Sequence, residues 1–154
     1  MISRNLYFLQ KSYESLPLDQ KANLLFAALT PGGEVPDEGR QLSAVMLRRL
    51  LSSEFTEFFK NLPEEQKSQF KAQLLTLLQN EPNNNMRRKM VDLVAEVSRN
   101  LMDDDGNNLW PEFLKFMFDL ASSPQSHHKE VSLLLFRYLF KNYDLGSAQR
   151  CLFL

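Results

Sequence analysis

Apolar residues return every three or four positions along almost the whole chain, and no run alternates apolar with polar as a half-buried strand would. Phe70, Leu74, Leu77 and Leu78 show the pattern well, since the spacing i, i+4, i+7, i+8 gathers them on one helix face. Seven helices are predicted on this basis. The first covers residues 3–16 and the second 18–29, where the breaker run TPGGEVPDEG ends it. The third covers about 37–53, with Leu42, Met46, Leu47, Leu50 and Leu51 as its apolar set. The fourth opens after Pro63, and the fifth follows NEPNNN and aligns Met86, Met90, Leu93, Val94, Val97 and Leu101. The sixth starts near Trp110 with Phe113, Phe116, Met117 and Leu120, and the seventh follows SSPQSHH with Val131, Leu134, Leu135 and Tyr138.

The pattern repeats along the chain. SLPLDQKANLLFAAL starts at Ser15 and NLPEEQKSQFKAQLL at Asn61, an offset of 46, and Pro111 follows Pro63 by 48. Met46, Leu47 and Leu50 map onto Leu93, Val94 and Val97 at an offset of 47, and those onto Leu134, Leu135 and Tyr138 at 41. A two-helix unit recurring every 40–47 residues or so, at about this spacing, marks HEAT or armadillo repeats. One such pair cannot bury its own apolar face, so stacked neighbours cover it and stability becomes a sum of nearest-neighbour terms. The predicted fold is therefore all-α, a right-handed HEAT-repeat solenoid of about three and a half helix pairs. With no polar capping repeat at either end, Leu6, Phe8, Tyr138 and Phe140 are expected to be partly exposed and prone to association.

The stretch DDDGNNLWPEF, Asp103 to Phe113, resembles part of a calcium loop. With Gly106 at the sixth position of an EF-hand, Asp103, Asp105 and Glu112 fall on ligand positions three, five and twelve, but position one is Leu101, which offers no ligand atom. Its place between the second helix of one repeat and the first helix of the next predicts a polar turn instead. Gly106 would take positive φ, Asn107 or Asn108 would cap the next helix, Pro111 would occupy its first turn, and the three aspartates would stay solvated.

At 154 residues the chain is long enough to bury roughly 70% of its unfolded surface as one domain. Its 18 basic and 19 acidic residues leave a formal charge of −1, so charge gives no reason to expect nucleic acid or an anionic membrane as partner. A single cysteine, Cys151, excludes an internal disulfide framework and fits a reducing compartment. The N-terminal stretch has no apolar run long enough for a secretory core and nowhere do 18 apolar residues run uninterrupted, so the chain is expected to be soluble and intracellular. Catalytic chemistry is not expected. His127 and His128 are adjacent, point about 100° apart on a helix, and are read as a solvated cap region without metal-ligand partners. Cys151 has no base partner in any recognisable motif, and no cofactor or metal is implied. The ending CLFL fits a prenylation box on Cys151, but no polybasic run precedes it, a single lipid chain anchors weakly, and the match is read as accidental.

The fifth helix carries a second, polar stripe of Arg88, Asp92, Glu96 and Arg99, opposite Met90, Val94 and Val97. Pairing within such a stripe is worth only ~0.2–0.5 kcal/mol per pair on a solvated face. Its alternative use is to face a partner, as Gln41, Arg48 and Ser52 on the third helix would, while Arg49 points elsewhere.

RQLSAVMLRRLLSSEF (40–55) and RRKMVDLVAEVSRNLMDDDGNNLWPEFLKFMFDL (87–120) closely resemble the N-terminal HEAT repeats of the importin-β (karyopherin-β) nuclear transport receptors, with similarity from about Tyr13 to Phe136. The resemblance implies a non-enzymatic import receptor, found in cytoplasm and nucleus, that grips the small GTPase Ran in its GTP state with the inner helices of the superhelix. Cargo proteins or nucleoporins would bind through later repeats mostly missing here. On this reading Arg48, Arg88, Asp92, Glu96 and Arg99 are the expected Ran contacts. A receptor of this family is several times longer and normally has another helix before the first one predicted here. The chain is thus expected to be a fragment or truncated form, with 1–143 family-like and 144–154 a non-family tail, because KNYDLGSAQRCLFL does not continue a repeat. Two alternatives stand beside it: a calcium-responsive helical protein using Asp103, Asp105 and Glu112, and a HEAT scaffold unrelated to transport.

Overall fold

The computed structural model describes residues 10–141. Leu6 and Phe8, the Phe140 side chain and the 144–154 tail with Cys151 lie outside the described residues. Residues 10–14 are helical. Six helices follow: α1 (Leu18–Ala27), α2 (Asp37–Lys60), α3 (Glu64–Asn80), α4 (Asn84–Asn100), α5 (Pro111–Ser122) and α6 (Ser126–Lys141). The only extended pairing among the described residues is an isolated antiparallel bridge between Met102 and Asn108. No described helix is long and apolar enough to cross a membrane.

Local chemistry sets the starts. Pro17, Pro36 and Pro63 hold the N-cap positions of α1, α2 and α3, each followed by an acid in the first turn, where the helix dipole favours negative charge. The Asn83 side chain caps α4 by accepting from the Met86 amide at 3.0 Å. Pro111 takes the first position of α5, where its missing N–H costs nothing. Gly32, at φ 72°, turns the chain between α1 and α2 in a conformation glycine adopts freely.

The helices form the pairs α1/α2, α3/α4 and α5/α6, and the second helices pack side by side, α2 on α4 and α4 on α6. Leu47, Val94 and Leu135, related by the sequence offsets, are each 0% exposed at the centre of one continuous core. The fold is thus the all-α HEAT-repeat stack that the periodicity predicts. Two details differ. The third predicted helix does not stop near Ser53 but runs to Lys60, because Phe55 and Phe58 continue the buried face of Leu51 at i+4 and i+7 across the polar SSEFT interruption. Leu42, placed in that helix's apolar set, is 60% exposed, and Ala44 takes the buried place. Phe70 of α3 meets Phe26 of α1 and Phe58 of α2, with ring centroids 5.2 Å and 5.6 Å away, which joins the first two pairs through aromatic contact.

Candidate partner-binding surface

α4 lies in the middle of the second-helix layer and is covered on two sides. Nine of its residues are buried, Glu96 and Ser98 included. This changes the polar stripe. Arg88 is exposed and 3.5 Å from Glu130 of α6. Asp92 is half-buried and accepts a hydrogen bond from the Tyr138 hydroxyl of α6. That bond, with burial next, holds the Tyr138 phenol above its ordinary pKa, and the nearby charges of Arg48 and Arg137 pull the other way. Glu96 is only 7% exposed, and its carboxylate takes the Arg99 guanidinium on one oxygen and the Asn100 side-chain amide, at 3.2 Å, on the other. Arg99 itself is exposed.

Tyr138 of α6 therefore meets Asp92 of α4, with the charge of Arg48 on α2 near enough to act on the phenol, and Arg88 and Arg99 lie on the same helix as Asp92. Glu96 is the exception, because the expectation that it lies on a solvated face does not hold. Turning both Asp92 and Glu96 into lysine would place a cation in a covered site and cost stability as well as any binding.

Sequence reasoning missed Arg40. Its guanidinium is 2% exposed and closes on three groups: Nε and Nη2 donate to the Leu29 carbonyl at 3.2 and 2.9 Å, Nη1 donates to Asp37 at 2.9 Å, and the fork reaches the buried carboxylate of Glu81. Burial disfavours the charge, but the hydrogen bonds Arg40 donates to Glu81 and Asp37 outweigh it and keep the arginine pKa above its ordinary value. Apolar periodicity cannot reveal this, since the Leu29 and Glu81 partners lie 11 and 41 residues away in sequence. The remaining hint was an arginine in the first turn of α2, where the dipole alone disfavours a cation.

The Asp103 loop is a turn between α4 and α5, as expected. Gly106 stands at φ 80°, but the expected asparagine cap does not form: Asn108 accepts from the Trp110 amide at 2.7 Å, and Trp110 is itself the N-cap of α5, without a side-chain cap bond. Asp103 is not simply solvated. Its Oδ1 accepts from the Asp105 and Asn107 amides at 3.0 and 2.7 Å, and its Oδ2 accepts from the Asn107 side chain at 2.9 Å. The Asn107 side chain, then its backbone amide, holds the Asp103 carboxyl below its ordinary pKa. Among the described residues no three His, Cys, Asp or Glu side chains converge where a metal ion could sit.

A pH dependence follows. A carboxyl with a depressed folded pKa contributes stability that is present above the unfolded value, ~3.9 for aspartate, and lost as pH falls through the folded value. Urea unfolding at steps from about pH 5 to about pH 2 should show falling stability, with a shallower fall in Asp103→Asn. Identical slopes in the two proteins would remove Asp103 as a cause.

The histidines correct another expectation, that both sit in a solvated cap region. His128 is buried, with Nδ1 2.8 Å from the Ser123 hydroxyl and Nε2 3.2 Å from the Gln79 carbonyl, and the His127 ring lies 4.4 Å away, centroid to centroid. Apart from these sites, a groove of about 550 Å³ separates α1 from α3, lined by Phe26, Ala27, Leu77 and uncharged polar side chains.

Stacked two-helix units whose second helices pack side by side define a helical-repeat protein. Comparison with known families makes this specific: residues 20–80 match the importin-beta N-terminal domain, and 82–143 match the IPO5-like, TPR repeats family. The chain belongs to the importin-β family. It is similar to the probable importin-5 homolog of Dictyostelium discoideum, 28% identical over 97 residues, and to importin-4 of Mus musculus, 32% identical over 96 residues. Each alignment covers 62% of this chain but only 9% and 8% of the relative, so the matched part spans less than a tenth of the length of these relatives.

Proposed function

We propose that this chain is the N-terminal, Ran-engaging part of a nuclear import receptor: it binds Ran in the GTP state through α2, α4 and α6, takes no part in catalysis, and works between cytoplasm and nucleus in protein import. The observation that carries this reading is the match of residues 20–80 to the importin-beta N-terminal domain, on a fold that sets Arg48, Arg88, Asp92 and Arg99 on adjoining second helices. Ran in its two nucleotide states has one composition and differently ordered switch segments, so discrimination requires a surface whose shape and charges fit only one arrangement. Mixed charge serves register better than long-range attraction. Cargo and nucleoporin contacts belong to the longer receptor.

The test is binding to Ran loaded with GTP or GDP. The wild-type chain should retain only the GTP form. Reversing Arg48 and Arg88 to glutamate, chosen because neither is fully buried, should weaken that binding roughly tenfold, about 1.4 kcal/mol, with helicity unchanged. Equal retention of both Ran forms, or wild-type affinity in the reversed protein, would overturn the reading.

A further inference from the structure

The first turn of each second helix carries a polar side chain at one repeat position. An offset of 47 takes Arg40 to Arg87, and 41 takes Arg87 to His128, the same steps that relate Leu47, Val94 and Leu135. All three side chains reach carbonyls at the end of a first helix. Arg40 donates to the Leu29 carbonyl, Arg87 to the Glu81 and Pro82 carbonyls at 3.0 and 2.9 Å, and His128 Nε2 to the Gln79 carbonyl. A carbonyl only accepts, so Nε2 carries the proton it donates, and Nδ1 lies at hydrogen-bond distance, 2.8 Å, from the Ser123 hydroxyl.

Arg87 works within its own pair, whereas Arg40 and His128 bridge neighbouring pairs. Both bridges end on residues 79–83, so one turn holds the pair before it and the pair after it. The two bridges are unequal. At the first, a permanently charged fork closes on the buried Glu81 carboxylate, the Asn83 side chain adds a bond to Asp37 at 2.9 Å, and α2 packs along α4 more extensively than α6 does. At the second, the side-chain links include the His128 bond, the Tyr138 hydroxyl on Asp92, and the exposed Arg88–Glu130 contact. Exposed ion pairs contribute little.

We infer that His128 is a positioning residue that fixes how the third helix pair sits against the first two, and that the stack moves chiefly at this second junction. The first two pairs form one block, and α5 with α6 is a lever against it. Because α6 carries Tyr138 to Asp92, movement of the lever alters the spacing of the second-helix face, and a partner touching both α4 and α6 selects one setting.

Amide hydrogen exchange on the full chain tests this. His128→Leu keeps bulk but loses the donor, and α6 amides should then exchange about tenfold faster, the effect of losing one hydrogen bond, with α2 and α4 unchanged. His128→Arg, the side chain the other two pairs use, should restore protection. Ser123→Ala, which leaves the ring in place but unorients it, should act in the same direction more weakly and covers the case in which the leucine protein does not fold. Loss of protection spread evenly over α2, α4 and α6, or failure of arginine to restore it, would overturn the inference, since a merely structural histidine would destabilise the whole stack.

Discussion

Arg40→Ala is expected to lower the thermal midpoint by about 10 °C, followed by circular dichroism at 222 nm. Removing one member of a buried pair leaves the other charge uncompensated and costs about 3–5 kcal/mol, and for a chain of this size each kcal/mol is worth about 2–4 °C. Glu81 would keep only the Asn83 amide, at 3.0 Å, as a partner, and the Leu29 carbonyl would lose both guanidinium donors. Lysine should rescue poorly because it lacks the fork that serves the carbonyl and the carboxylate together. The double change Arg40→Met with Glu81→Leu should recover most of the loss, since an apolar pair of similar volume has no charge to leave buried. A midpoint within about 2 °C of wild type in Arg40→Ala would show the pair contributes nothing.

Trp110→Ala should cost a similar amount, about 3–5 kcal/mol in urea unfolding. The indole is 1% exposed and stacked on Phe113 with centroids 5.2 Å apart, at the point where the Asp103 turn delivers the chain into α5. Its removal opens a cavity between that turn and the core. Leu109, the residue before it, is 54% exposed, so Leu109→Ala should fall within about 0.5 kcal/mol of wild type. Equal losses at the two positions would mean the turn, and not the buried ring, holds the junction.

Most of the fold was legible in the sequence because its determinants are local and periodic. The prolines before α1, α2 and α3, the glycine of the Asp103 turn and the recurrence of Leu47, Val94 and Leu135 each follow from residues a few positions apart or at one fixed offset. The end of α2 was misread because Ser52, Ser53 and Glu54 look like a stop until Phe55 and Phe58 are seen to share Leu51's face. The candidate site was legible only in part. The stripe on α4 follows from helical geometry, but which members are free depends on α6, and the pairing of Tyr138 with Asp92 spans 46 residues. A wheel drawn for α4 alone treats Glu96 as solvated because it cannot represent neighbours on both flanks. Arg40 and His128 escaped for the same reason: their partners lie 41 and 49 residues away.

Those separations have a kinetic meaning. No described side-chain hydrogen bond joins residues more than 49 apart in sequence, and the helix packing runs within pairs and between adjacent pairs. Long loops need not close before contacts begin to form, so the search for the native state is short and refolding should fall in the fast, helical-protein range of about microseconds to milliseconds. Nucleation should favour the stretch from α2 to α4, where the aromatic contacts and the buried ion pair lie within one continuous segment of chain. A ribosome that has released this segment has therefore already supplied a template, and α5 and α6 can be added to it as they emerge.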